Sequence, residues 1–173
     1  MPSRWYMRKQ FGEISNLLDR LDSPFEPIRA TGQSSLVAVS INAEMIADGQ
    51  NLVILLINLS KLISRVMSSE RTLLELSNET AVILQKVDIL YALLGSGIGG
   101  RNEGFAVQKA ESLFTLIRSA RSVVGNMTDF FALALETILL NKGKKKGYSY
   151  DELKFLLCGP TLTDVPTGEN VRF

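Results

Sequence analysis

Between Ile28 and Gly159 the chain carries no proline; its five prolines stand at 2, 24, 27, 160 and 166. Proline inside a helix costs about 3 kcal/mol, so a gap of this length is what a helical body leaves behind. The hydrophobic pattern within the gap has the helical period. Stepping alternately by three and four from Leu52 gives Leu52, Leu55, Leu59, Leu62, Val66, Ser69, Leu73, Leu76, Thr80, Ile83, Val87, Leu90 and Leu94. Only Ser69 and Thr80 interrupt this apolar seam, and a sustained heptad of that kind belongs to a coiled coil or a bundle helix. The expected fold is therefore all-α: a helical bundle with one long central coiled-coil-like helix, over residues 33–95, and shorter C-terminal helices. Gly49 is the expected place for any bend in the central helix. Ser69 and Thr80 are expected to bond their hydroxyls back to the preceding helical turn.

The seam is wide. Leu56, Ile63, Leu84 and Tyr91 flank it where a two-stranded coil carries charge, and Val53, Ile54 and Ile57 make the 52–57 turn apolar on every side. Such a turn is expected inside a bundle, covered either by helices of the same chain or by several chains. The reading adopted is intermolecular: Leu52, Leu55, Leu59, Leu62, Val66, Leu73, Leu76, Ile83, Val87 and Leu90 are the expected contacts of a homo-oligomer.

Around that helix the chain divides into further segments. Residues 1–32 hold an amphipathic helix over 5–22, with Phe11, Ile14, Leu17, Leu18 and Leu21 on one face, and then a linker that Ser23-Pro24 begins. Residues 104–158 are expected to form a C-terminal bundle of two helices, 104–124 and 128–142, with Asn126 or Thr128 capping the second, and a short helix from Ser149 to Cys158. Residues 159–173 are an extended tail, suited to docking on a protein partner. Gly95-Ser96-Gly97-Ile98-Gly99-Gly100 fits the dinucleotide-binding pattern G-x-G-x-x-G. That pattern has its meaning between a strand and a helix, and here it follows a helical heptad, so it reads as an interhelical turn after Leu94.

Composition narrows the chemistry. There is no histidine and a single cysteine, Cys158. The commonest general base and metal ligand are missing, and Ser–His or Cys–His nucleophile pairs are excluded. A non-enzymatic protein without cofactor or metal site is expected. A net charge of +1 leaves electrostatic binding to local patches. Two such patches stand out: Arg4, Arg8 and Lys9 beside Trp5 and Tyr6, and Lys142, Lys144, Lys145 and Lys146 with Tyr148. Cations with nearby aromatics can neutralise phosphates and stack bases, while a lysine run is also what a helix C-terminus favours by itself. The run Leu52–Ile57 falls short of a membrane span and no signal-peptide core opens the chain. A soluble, cytoplasmic protein with no transmembrane segment is expected.

The stretch Gln85-Lys86-Val87-Asp88-Ile89-Leu90-Tyr91-Ala92 is similar to the end of the oligomerising helix in some phosphoproteins of negative-strand RNA viruses. The resemblance implies a multimeric coiled coil joined to a small helical bundle that binds nucleocapsid. It covers only residues 85–92, and the acidic disordered regions of that family have no counterpart here. Two functions are therefore expected. The first is a structural or scaffold subunit, of virion type, acting by helix–helix homo-oligomerisation. The alternative is a nucleic-acid-associated helical protein, such as a viral coat, nucleocapsid-linked or phosphoprotein-like polymerase cofactor.

Overall fold

A computed structural model of the chain describes residues 4–26, 40–65, 70–99 and 105–142. It is an all-α bundle of helices α1 (Arg4–Asp22), α2 (Ala43–Ile63), α3 (Glu70–Gly99) and α4 (Phe105–Lys142). A 3-10 turn, Ser23–Phe25, closes α1 with Pro24 in its first positions and Phe25 buried. That is where proline's missing N–H does no harm. The expected apolar face of α1 is the buried one, with Met7 added to it.

Charged pairs give the relative directions of the helices. Arg8 lies 3.5 Å from Glu75, and the Lys86 ammonium donates to Ser15 at 2.7 Å and to Asp19 at 3.0 Å. Rising numbers on α1 thus meet rising numbers on α3, and these two helices run parallel. Arg20 reaches back to Asp48, while Glu13 and Asn16 lie beside Ile54 and Leu55, so α1 and α2 are antiparallel. Arg121 meets Asp88 and Phe114 lies on Tyr91, so α3 and α4 are antiparallel too. The packed neighbours are α1 with α2, α2 with α4, α4 with α3 and α3 with α1. The described helices are therefore two antiparallel hairpins laid face to face, with α2 and α3 at opposite corners.

The central helix is not one piece, and its break is not at Gly49. Gly49 lies inside α2, where a Cβ would come 3.0 Å from Leu113 Cδ1 and 3.2 Å from Leu116 Cδ1. It is there to let α4 approach. The break comes after Ile63, among serines. The Ser60 hydroxyl donates to the Ile57 carbonyl at 2.7 Å and the Ser64 hydroxyl to the Lys61 carbonyl at 2.6 Å, bonds that compete with the helical ladder. The Arg65 N–H turns to the Leu62 carbonyl, a tightened last turn. The start of α2 is also later than the seam suggests. Asn42 is its cap, in extended backbone, with its side-chain oxygen accepting from the Met45 N–H at 2.9 Å. Such a cap contributes about 1 kcal/mol.

The C-terminal half departs from expectation in the opposite sense. Two expected helices are one, of 38 residues, about 57 Å long at 1.5 Å per residue, the longest of the described helices. Thr128 caps nothing: its hydroxyl donates to the Val124 carbonyl within the helix at 3.0 Å, and Met127 beside it is buried. The glycine-rich stretch after Leu94 does not end α3 at once, because the helix continues to Gly99. Gly95 faces Phe114 at a distance that would put a Cβ 3.2 Å from its Cε1.

One continuous core joins all four helices. The described residues of the segments 1–32, 33–95 and 104–158 thus contribute to a shared interior. In the 52–57 turn, Leu52, Val53, Leu56 and Ile57 are buried, but Ile54 is exposed to solvent, so that turn is not enclosed on every side.

Candidate functional site

The expected oligomer contacts lie in the interior of the single chain. Leu52, Leu59, Leu73, Leu76, Ile83, Val87 and Leu90 are buried against other helices of the same molecule. Leu55 packs on the core from its edge and Leu62 is half-buried, while Val66 lies outside the described residues. Among the described residues, the seam of α2 and α3 is covered by α1 and α4 of the same chain. Thr80 behaves as expected, donating to the Leu76 carbonyl at 2.8 Å; Ser69 lies outside the described residues.

Of the expected phosphate-binding cations, the described residues include the side chains of Arg8 and Lys9, adjacent on α1. Arg8 faces Glu75, and the Lys9 ammonium sits 5.7 Å from the Trp5 ring centroid. Trp5 itself does not dock on the core, being 70% exposed. The side chains of Arg4 and Lys142, the residues Lys144, Lys145, Lys146 and Tyr148, and the tail 159–173 lie outside the described residues. Among the described residues no group of three or more His, Cys, Asp or Glu is placed to hold a metal ion.

Two polar constellations stitch helices together. Arg20 grips Asp48 through both carboxylate oxygens, Nε to Oδ2 and Nη2 to Oδ1, each at 2.9 Å. The Asp48 carboxylate is largely buried and its arginine largely exposed. The hydrogen bonds that Arg20 donates to Asp48, then the charge of that carboxylate, raise the Arg20 pKa further above its already high range. A raised value contributes stability below the unfolded pKa and loses it only in strong alkali, so Arg20 does not switch this pair off near neutrality. On the ridge between α3 and α4, Tyr91 stacks on Phe114 with centroids 4.9 Å apart. Arg121 lies 4.7 Å over Tyr91 while bonding Asp88 at 2.6 Å, and Arg118 lies 6.0 Å from the Phe114 centroid. Both sets are satisfied internally, and both hold helices rather than open a cleft.

The feature that sequence reasoning missed is the outer face of α3. Its exposed residues from Leu74 to Ala92 are Leu74, Asn78, Glu79, Ala81, Val82, Gln85, Ile89 and Ala92. Glu79 alone among them is charged. Leu74 and Val82 are each 50% exposed and Ile89 45%. On α4, by contrast, Glu111, Arg118, Arg121, Asp129 and Glu136 are among the exposed residues. A stripe of large apolar side chains with a single charge is the surface pattern that marks interaction sites. The signal was present in the sequence: positions opposite the seam lack the charges that a solvated helix face carries. The outer face of α2 is also uncharged from Ala47 to Asn58, but Ile54 is its one large apolar exposed residue. By length and composition α2 would suffice to cross a membrane, although half of its most apolar window is buried inside the bundle. That is longer than the run Leu52–Ile57 suggests.

The fold and surface define an all-α bundle with an apolar outer stripe. Compared with known protein families, curated proteins and solved structures, the chain matches none.

Proposed function

We propose that this is a non-enzymatic assembly protein, a scaffold or structural subunit that acts through helix–helix contact with further copies of itself. The observation that carries the reading is the outer stripe of α3, where Leu74, Val82 and Ile89 stay in water with a single charge among the exposed residues between Leu74 and Ala92. The contact surface differs from the one the heptad suggested. The seam serves the interior, and the face opposite to it is the one left for partners. Burial of apolar area contributes about 25 cal/mol per Å², so a face of this kind gains by being covered.

Light scattering after size exclusion, across a concentration series, tests the reading. The expected result is a mass that rises above that of one 19.1 kDa chain as concentration increases. A single-chain mass at every concentration would remove self-assembly. Binding to nucleic acid that weakens steeply with salt would then put the alternative function first.

A further inference from the structure

Six of the exposed residues between Leu74 and Ile89 on the outer stripe of α3 are arranged as a mirror in sequence, while Glu79 comes level with half-buried Leu84. About a two-fold axis passing between Ala81 and Val82, Leu74 comes level with Ile89, Asn78 with Gln85, and Ala81 with Val82. Large apolar meets large apolar, amide meets amide, and small meets medium. All six are exposed. An isologous contact requires this property, because the same patch must complement itself.

We propose that this stripe is the two-fold contact of an antiparallel homodimer, with α3 of one copy lying against α3 of the next. The inference deepens the self-assembly reading and rests on it. The charges at the margin agree with the arrangement. The two-fold that pairs Leu74 with Ile89 brings Lys86 level with Ser77 of the second copy, between its Glu75 and Glu79. Lys86 also bonds Asp19, and Glu75 also faces Arg8, within their own chain; each keeps about one-third of its side chain exposed, and opposite charges across a margin set register. Between Leu74 and Ala92 the one charge among the exposed residues is the carboxylate of Glu79, which repels a phosphate backbone.

The size of the stripe sets the strength of the contact. It is about 27 Å long and about 10 Å wide, well below the roughly 800 Å² per partner of a standard interface. The dimer is therefore weak and dependent on concentration.

Two measurements test the contact and its register. In the first, Val82→Asp is compared with the parent by light scattering. The position is exposed, so helix content is expected to stay unchanged, while like charges brought close to the axis weaken dimerisation by at least about tenfold. In the second, with Cys158→Ser as background, Asn78→Cys and Gln85→Cys proteins are oxidised separately and as an equal mixture. Identical positions lie about 10 Å apart along the axis, beyond the roughly 7 Å between Cα atoms that a disulfide spans. Each protein alone is therefore expected to stay uncross-linked, and the mixture to yield a covalent dimer. A mass of one chain for the parent at all concentrations would overturn both this inference and the proposed function. A parent that associates, is indifferent to Val82→Asp and gives no cross-link in the mixture would overturn the two-fold alone and leave self-assembly standing.

Discussion

Gly49 and Gly125 both lie inside helices, and the space around them makes opposite demands. A side chain at Gly49 would press on Leu113 and Leu116, whereas a Cβ at Gly125 would meet nothing within 4 Å. Gly49→Val should therefore cost about 2 kcal/mol through overpacking. Gly125→Ala should add about 0.5–1 kcal/mol through helix propensity. Urea denaturation of the two variants reads both signs in one series. Arg20 is a further case in which neighbours decide. Its partner Asp48 is largely buried, while the partners of Arg8 and Arg121 are more open. Removing Arg20 strands a carboxylate where water is scarce. Arg20→Met is expected to lower the urea midpoint more than Arg8→Met; equal effects would mean that water reaches Asp48 freely.

At the scale of elements, the helical nature of the chain was legible because proline is missing and the 3.6-residue period is strong. The apolar face of α1 was legible for the same reason, and its end was marked by Ser23-Pro24. Boundaries inside the proline-free stretch were not. Gly49 looked like a hinge because glycine weakens helices, but tertiary contact with Leu113 and Leu116 outweighs that weakness. The break among Ser60, Ser64 and their neighbours left the heptad register unbroken, so periodicity could not reveal it. Asn126 and Thr128 looked like caps because such residues favour caps, yet a threonine inside a helix can bond four residues back, and Thr128 does. The seam itself was read correctly as apolar and helical, but a pattern of this kind does not say which chain covers it. Burial inside one chain changes what disrupting it should do. Leu73 and Leu76 are almost wholly enclosed, so Leu73→Lys with Leu76→Lys forces two charges into the core. Loss of helical circular dichroism and of cooperative unfolding is expected. A folded, merely dissociated protein would place those leucines between chains instead.

For the whole molecule, the continuous core across all four helices makes unfolding a single event. One transition in urea, the same by circular dichroism and by hydrodynamic radius, is the expected behaviour of such a domain. Tryptophan emission should not follow it. Trp5 is the one tryptophan of the chain and stands 70% exposed, so its spectrum should already be that of a solvated indole and move little on denaturation. A large blue shift in the native protein would mean that Trp5 is covered, by a second copy or by another part of the chain. Such a shift, if it appeared only at high concentration, would extend the assembly surface from α3 to the start of α1.

The two glycine contacts also decide how this bundle can come apart. Leu113 and Leu116 seat against Gly49 on α2, and Phe114 seats against Gly95 on α3. A single turn of α4 is thus keyed into notches on both of its neighbours, at one height. A helix held at a single level by two teeth on different sides resists being drawn along its axis, because any axial slip drives bulky side chains onto ordinary backbone. It can still be lifted away sideways. The Gly49 notch lies between the two hairpins and the Gly95 notch within one, so peeling the hairpins apart lifts Leu113 and Leu116 from α2 while Phe114 keeps its seat on α3.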